Sequence, residues 1–355
     1  MNQNMHEEGI RAAVAGCLSI DICPRFVSSG NDFGDIIKPG QITHIEGNDV
    51  FAGGSVANTG IAMKLFGVEP LLLGRIGGDS FGRMLQGMLR DQVGAGADTV
   101  VVDHETPTAY SLILAPEGLD RAILQNPGAN DAFRLSDIDW EQIKGCRLMH
   151  FGHPPTIRHF YENDGCELEA LFAKAREMDM VTSLDLCAVD PASEAGRADW
   201  GAILRRVLPL VDFFVPSRQE LADMLGAGGE AAVSELIDAC VELGATNILI
   251  KEGENGMSYR NGCDFSDIER KLGRAGGSMA DWEGCRGHAP AVKAIKEVSG
   301  LGAGDTSIAA YLSAMMRGFS FEDTLYLARA EGALCVSDAS ATAGLRPLEA
   351  VLFRA

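Results

Sequence analysis

The clearest candidate for chemistry is the segment Gly302-Ala303-Gly304-Asp305, which is followed directly by TSIAAYLSAMM. Apolar residues recur at helical spacing in that tail, so the glycines predict a tight loop that opens a helix. Amide groups at such a helix start, together with the helix dipole, stabilise a negatively charged phosphoryl group. Asp305 falls in the first turn, where a carboxylate stays ionised and can accept a proton from a hydroxyl. By itself the motif fits a plain acidic helix start equally well.

A second pair of glycines, Gly53-Gly54, precedes Ser55-Val56-Ala57-Asn58 and another helix-compatible stretch. Two glycines let a ligand approach the backbone, and Asn58 offers hydrogen-bond donors and acceptors one turn into the helix. Asp21 follows the first predicted strand, at a carboxyl end where ligands gather in α/β folds. Taken one at a time, these residues also fit ordinary turns.

Two further turns follow predicted strands. Ser217 and Glu220 have the spacing of a capping box after VDFFV, which predicts a helix that begins there. Gly253 lies in IKEGENG, a turn that suits either the flat face of a nucleotide or a plain hairpin. His150 and His153 do not predict a metal site, because strand alternation points the two rings to opposite faces and no third ligand has suitable spacing.

Short apolar runs rich in β-formers alternate along the chain with helix-compatible stretches. The predicted strands are 12–18, 71–73, 147–151, 181–186, 211–215 and 247–250, and the predicted helices include 81–92, 166–178, 200–208 and 231–243. This alternation indicates βαβ units and an α/β fold with a largely parallel central sheet flanked by helices. The motifs above fall at strand-to-helix turns, where such folds bind their ligands.

Two regions break the alternation. Residues 22–52 and 108–125 carry short alternating segments and turn formers, which predict a small second β-sheet that acts as a lid over one edge of the main sheet. Residues 261–291 are rich in glycine and charge, so we expect a mobile excursion there, followed by a strand at 292–298. We expect residues 1–355 to form a single domain that includes this lid.

The composition of the chain indicates which partners it can bind and in which compartment it is located. The chain has 355 residues, 46% of them hydrophobic, which is enough for a substantial core. Its formal net charge of −20 repels polyanions, so we expect neither nucleic acid nor an anionic membrane as partner. Nine cysteines without a CxxC pair, and a start that lacks the layout of a signal peptide, predict reduced thiols and a cytoplasmic location.

The order of these motifs resembles that of the ribokinase-like, or PfkB, carbohydrate kinases. The resemblance runs from GCLSID near residue 16 to GLRP near residue 347. GGSVANTGIAMKLFG is similar to the N-terminal signature of that family, and GRIGGDSFG follows it as expected. TAYSLILAPEGLDRAILQNPGAN resembles the lid strands and the turn beyond them, and GAGDTSIAAYL resembles the C-terminal signature, the most specific of the set.

The resemblance implies a ribokinase-like fold and an ATP-dependent, Mg²⁺-using kinase that phosphorylates a hydroxyl of a small sugar or sugar-like acceptor, fructokinase-like or acting on a sugar acid. It also implies roles for the matched residues: Asp305 as general base; Gly302, Ala303 and Gly304 as the anion hole; Asp21, Gly54 and Asn58 as acceptor contacts; Ser217 and Gly253 as nucleotide contacts; and Glu220 as a magnesium contact through water. The sequence departs from the usual family pattern at Ser55, Gly152, Ser217 and the segment 299–301.

Two other functions are compatible with the same residues. The first is a nucleoside kinase on the same scaffold, for which Phe26, Phe33 and Phe51 supply aromatic side chains. The second is a non-catalytic protein that senses a sugar or a nucleotide. The lid strands are too few to be stable as an isolated sheet and have exposed edges, so we also expect a homodimer formed by pairing of two lids.

Overall fold

The computed structural model describes residues 9–27, 29–30, 32–119, 121–229, 231–273, 279–338 and 340–353. The strands in these ranges are β1 (Arg11–Gly16), β2 (Ser19–Phe26), β3 (Ile45–Gly53), β4 (Glu69–Leu73), β5 (Arg75–Gly77), β6 (Val101–Asp103), β7 (Tyr110–Leu114), β8 (Ala122–Asn126), β9 (Leu148–Gly152), β10 (Val181–Leu184), β11 (Phe213–Phe214), β12 (Asn247–Lys251), β13 (Met257–Arg260) and β14 (Arg286–Ala289). The α-helices are α1 (Phe33–Ile36), α2 (Ser55–Leu65), α3 (Ser80–Val93), α4 (Arg158–Tyr161), α5 (Cys166–Glu177), α6 (Trp200–Val207), α7 (Arg218–Met224), α8 (Val233–Glu242), α9 (Ser266–Leu272), α10 (Ala303–Arg317), α11 (Phe321–Val336) and α12 (Leu348–Leu352).

Eight strands form the main sheet, in the order β14-β13-β12-β11-β10-β9-β1-β4. The six strands from β12 to β4 pair in parallel, whereas β13 and β14 are antiparallel additions at one edge. Because parallel strands end at the same side of a sheet, the loops that follow β1, β9, β10, β11 and β12 converge there. The predicted α/β architecture is confirmed.

Two apolar layers cover the main sheet. On β1, Ala12 and Val14 pack into one layer while Ala13 and Ala15 pack into the other, as the alternation of side chains along a strand requires. Helices α2 and α10 belong to the first layer and pack against each other. Both are buried on nearly all sides, which is typical of helices inside a core rather than at a surface.

The small sheet predicted from the alternating segments is present, with the order β3-β2-β7-β8. It begins at Ser19, a few residues before the predicted start, and is reached directly from the main sheet because β2 follows β1 after two residues. A separate two-stranded sheet is made of β5 and β6.

The prediction of a strand at 292–298 is wrong. The edge of the main sheet is occupied by β14, and the Val298 N–H donates instead to the carbonyl of Val336, the last residue of α11. Ile295 is 85% exposed, so the alternating pattern of this segment does not reflect burial on a sheet.

The segment 261–291 is not the loose excursion that its composition predicts. Its described parts form α9 and β14, and Trp282 is fully buried between Phe213, Tyr311 and Phe321. Because a buried indole removes a large apolar area from water, Trp282 anchors this part of the segment in the core. Residues 274–278 of this segment lie outside the described residues.

None of the helices in the described ranges combines the length and the apolar composition needed to cross a membrane.

Candidate active site

Asp305 lies in the first turn of α10, as predicted. The residue before the helix, Gly302, has φ +72°, and a Cβ there would come within 2.4 Å of the Ala341 side chain, so both conformation and space require glycine. Amides in the first turn of a helix have no acceptor within the helix and face outward. The Ala303 N–H only reaches the Gly300 carbonyl at 3.5 Å. This end of α10 therefore has the partial positive charge that an anion hole needs.

Asn58 is brought to Asp305 by the packing of α2 against α10. Helix α2 begins after Gly54, whose φ is +84° and whose missing Cβ would lie 2.5 Å from the Cys17 carbonyl oxygen. One turn later, Nδ2 of Asn58 donates to Oδ2 of Asp305 at 2.9 Å. Two motifs from opposite ends of the sequence thus meet in one buried hydrogen bond.

Asp21 is also part of this cluster, although it lies within β2 rather than in a turn after the first strand. Its carboxylate accepts a hydrogen bond from Ser19 Oγ at 3.0 Å, and a Cβ on Gly53 would come within 2.1 Å of it. Burial raises the pKa of Asp21, and the nearby charge of Asp305 adds to that shift. The two carboxylates therefore occupy the same site.

Ser217 and Glu220 form the predicted capping box at the start of α7. Ser217 N–H donates to Glu220 Oε2 at 3.1 Å, and Glu220 N–H donates to Ser217 Oγ at 3.4 Å. The backbone of Ser217 also pairs with that of Lys251, the last residue of β12, in an isolated parallel β-bridge. The capping role that the spacing predicts is confirmed, and it leaves the predicted contacts with nucleotide and magnesium as proposals.

Gly253 lies in the turn of the β12–β13 hairpin, which agrees with the hairpin alternative and leaves the predicted nucleotide contact as a proposal. Its φ is +58°, and apart from its chain neighbours no described residue has an atom within 4 Å of the place that a Cβ would take. This side of the turn is therefore open to solvent.

A buried ion pair that none of the sequence motifs indicates lies next to these residues. Lys251 Nζ donates to Asp185 Oδ1 at 2.8 Å, and a Cβ on Gly304 would lie 3.3 Å from Lys251 Nζ. Burial raises the pKa of Asp185 to about 6 against the opposing effect of Lys251. Burial lowers the pKa of Lys251, but Asp185 and Glu220 raise it by more. Charged residues at the carboxyl ends of buried strands were the available signal.

His153, which strand alternation does not predict to be a metal ligand, also lies next to Asp305. Its Nε2 lies 3.4 Å from Oδ1 of Asp305, and its Nδ1 lies 3.5 Å from Sγ of Cys17. Strand alternation does not apply to this residue, because β9 ends at Gly152 and His153 adopts a left-handed conformation with φ +59°. Acidic neighbours come from distant parts of the chain, a proximity that local spacing does not reveal.

The proximity of His153 and Asp305 changes the proton affinity of both groups. Burial opposes protonation of His153, but the charges of Asp305 and Cys17 hold its pKa well above the ordinary value. Burial works to raise the pKa of Asp305, and His153, Asn58 and Lys251 together lower it. Asp305 is therefore ionised at neutral pH despite being only 6% exposed.

Comparisons with known proteins identify the family of the chain. Residues 31–347 match the model of the pfkB family carbohydrate kinases. An uncharacterized sugar kinase of Archaeoglobus fulgidus is 25% identical over 288 residues, which covers 80% of this chain and 98% of the relative.

Two solved structures show the ribokinase-like fold of the chain. The ribokinase of Arabidopsis thaliana complexed with ribose and ATP superimposes with a TM-score of 0.72 at 21% identity and covers 97% of this chain and 98% of its own. A nucleoside kinase of Burkholderia thailandensis in complex with inosine gives a TM-score of 0.68 at 17% identity and covers 97% of both chains. Since the family model spans most of the sequence, the chain belongs to the pfkB family of carbohydrate kinases.

Proposed function

We propose that this kinase transfers the γ-phosphoryl group of ATP to a hydroxyl of a small sugar or sugar-like acceptor, with Asp305 as general base. The observation that carries the proposal is the position of Asp305. It is buried, ionised, bound by Asn58 and located at the positive end of α10. A base placed there can take the proton of an attacking hydroxyl while the helix start stabilises the transferring group.

The amides of Gly302, Ala303 and Gly304 form the anion hole in this proposal. Phosphoryl transfer depends mainly on positioning and on neutralising charge, so these donors and the helix dipole supply a large part of the effect. Lys251 adds a fixed positive charge beneath Gly304, where it remains paired with Asp185.

The nucleotide lies on the side of Ser217 and Gly253, and Glu220 contacts Mg²⁺ through water. The residues fit a hard cation, because Glu220 is a partly exposed carboxylate whose charge acts on both Asp185 and Lys251. Bound magnesium would neutralise charge on the phosphates during transfer. Glu220 remains anchored for this role by its hydrogen bond with Ser217.

The acceptor lies between Asp21, Gly54 and Asn58, with the small sheet as a lid that excludes water. Phe51 is the cross-strand partner of Asp21 in the β2–β3 pair, so its ring lies on the same face as the carboxylate. An aromatic ring there packs against the apolar face of a sugar ring or against a nucleobase. This observation keeps a nucleoside as the second candidate acceptor.

An acceptor screen tests the proposal. Purified protein is incubated with MgATP and ketoses, aldoses, sugar acids or nucleosides, and the phosphorylated product is detected by mass spectrometry. We expect a phosphorylated sugar or sugar acid, formed about 10²–10⁴ times more slowly by the Asp305→Asn variant. Tight binding of a sugar without turnover of any acceptor would instead support the non-catalytic sensor.

A further inference from the structure

His153, Asp185 and Asp305 present three ligand atoms to one another, all within 4.8 Å. His153 Nε2 lies 3.4 Å from Asp305 Oδ1 and 4.0 Å from Asp185 Oδ2. We propose that these three residues form a binding site for a divalent transition-metal ion, of which Zn²⁺ is the best match, separate from the magnesium that accompanies ATP.

The remaining polar atom of each ligand is held by a different neighbour. Asn58 Nδ2 donates to Asp305 Oδ2 at 2.9 Å, and Lys251 Nζ donates to Asp185 Oδ1 at 2.8 Å. The third contact joins His153 Nδ1 to Cys17 Sγ at 3.5 Å. Outer contacts of this kind orient the ligands of metal sites. They leave the second oxygen of each carboxylate and Nε2 of the imidazole directed into the same space.

A second observation points to a missing partner at this place. Oδ1 of Asp305 is fully buried and makes no hydrogen bond of good geometry with the described residues, since its ion-pair partner, Nε2 of His153, lies 3.4 Å away. An unsatisfied carboxylate oxygen in such surroundings is costly. The left-handed backbone of His153 is a further unfavourable feature of a kind that concentrates at functional sites.

The donor set selects the class of ion. One imidazole nitrogen with two carboxylate oxygens suits zinc and related transition metals, whereas magnesium prefers oxygen ligands in an octahedron. Tetrahedral zinc with such ligands places neighbouring donor atoms about 3.3–3.5 Å apart. The separation of 3.4 Å between His153 and Asp305 already fits, whereas Asp185, 4.0 Å from His153 in a cluster that spans up to 4.8 Å, must move toward the ion. Lys251 already offsets the charge of Asp185, so a bound divalent ion would displace the proton of His153 and leave one net positive charge in the cluster.

The site has an open side. The His153 side chain is 22% exposed, whereas those of Asp185 and Asp305 are 2% and 6% exposed, so an ion enters past the imidazole. With three protein ligands, the fourth position is left for water, as in open zinc sites. A bound ion would be coordinated by the oxygen of Asp305 that faces the pocket. This oxygen could then not accept a proton from the acceptor hydroxyl, so turnover would be inhibited. This inhibition, unlike the binding, rests on the proposed role of Asp305 as base.

Metal binding can be measured without nucleotide and without activity. Metal-free protein is titrated with Zn²⁺ by calorimetry and with Co²⁺ by visible absorption. We expect one equivalent to bind, with the intense d–d bands of a low-coordinate cobalt ion and without a thiolate-to-cobalt charge-transfer band. His153→Ala should weaken binding at least 100-fold, since it removes a direct ligand, while His104→Ala, a change of an exposed histidine, should not.

Thermal melting in the presence of a chelator confirms that both variants are folded. Binding that survives unchanged in His153→Ala, or a cobalt spectrum with a thiolate band, would overturn the proposed ligand set. Failure of the protein to bind one equivalent would overturn the site altogether. If zinc binds with the expected spectrum and yet leaves turnover unchanged, the metal site stands and the general-base role of Asp305 falls.

Discussion

Asn58 donates from Nδ2 to Oδ2 of Asp305 at 2.9 Å, a hydrogen bond between residues 247 positions apart. It joins the first turn of α2 to the first turn of α10, so the predicted acceptor site and the predicted anion hole share one boundary. Because both side chains are buried, the hydrogen bond also fixes which oxygen of Asp305 faces the pocket.

Asp305→Asn tests the general base. The variant keeps the size of the side chain but cannot accept the proton, so kcat should fall by about 10²–10⁴. The affinity for ATP should change little. A plain acidic helix start predicts instead a stability loss of about 0.3–1 kcal/mol with nearly normal kcat. Steady-state kinetics with thermal melting separates the two, and a variant that keeps more than about a tenth of the activity would rule out the base role.

Asp21→Ala tests the acceptor site. Loss of a hydrogen bond to a charged group is worth about 1.5–3 kcal/mol, so the KM for the acceptor should rise about tenfold or more while the KM for ATP stays constant. The matched control is Asp49→Ala, on the neighbouring strand of the same sheet, where the carboxylate is paired with Arg25 at the surface. Equal kinetics for Asp21→Ala and the control would remove Asp21 from the site.

Lys251→Met tests the buried ion pair. Removing one partner leaves the Asp185 carboxylate uncompensated in a site where it is 2% exposed, which typically costs about 3–5 kcal/mol of unfolding free energy. The double variant Lys251→Met/Asp185→Asn should recover part of that loss, because it removes the stranded charge. Chemical denaturation of the wild type, of Lys251→Met, of Asp185→Asn and of the double variant gives the coupling energy. Additive effects would show that the pair does not interact.

Glu331 predicts a pH dependence of stability. Burial raises its pKa from 4.5 to about 7 in the folded protein, so the folded state binds more protons than the unfolded state between these values. Stability should therefore decline as the pH rises from about 4.5 to 7 and carry the full penalty above that. Glu331→Gln should be more stable than the wild type at pH 8 by up to about 3 kcal/mol, with a smaller difference at pH 5.

Denaturation at the two pH values measures the effect of Glu331→Gln. Glu242→Gln, which changes an exposed carboxylate at the end of α8, is the control and should show no comparable gain. A gain from Glu331→Gln that is the same at both pH values would contradict a titrating buried carboxylate.

The small sheet predicts a homodimer. Its outer strands β3 and β8 have unpaired edges, and Ile123 and Leu124 on β8 are 48% and 58% exposed. Light scattering should give the mass of a dimer at micromolar concentration, and Leu124→Asp should shift it to that of a monomer. Phe353→Asp, at an exposed position outside this sheet, should leave the mass unchanged. A monomeric wild type would contradict the prediction.

Local patterns in the sequence determined the alternation of strands and helices along the chain. They also located the starts of α2, α7 and α10, because glycines and capping residues act within a few positions of one another. The segment 292–298 shows where such patterns fail. Its alternation is that of a strand, but whether a strand forms depends on a free neighbouring edge, and β14 already occupies that edge.

Only the tertiary structure decided which charges meet. His153, Asp185, Lys251 and Asp305 come from four separate segments, and no spacing rule links them. The parallel sheet gathers them because its strands end on one side, and burial then strengthens each charge interaction by excluding water. The sequence thus determined the glycine loop and the acidic residue at the start of α10, while the packing of α2 and α10 against the sheet determined the surroundings of Asp305.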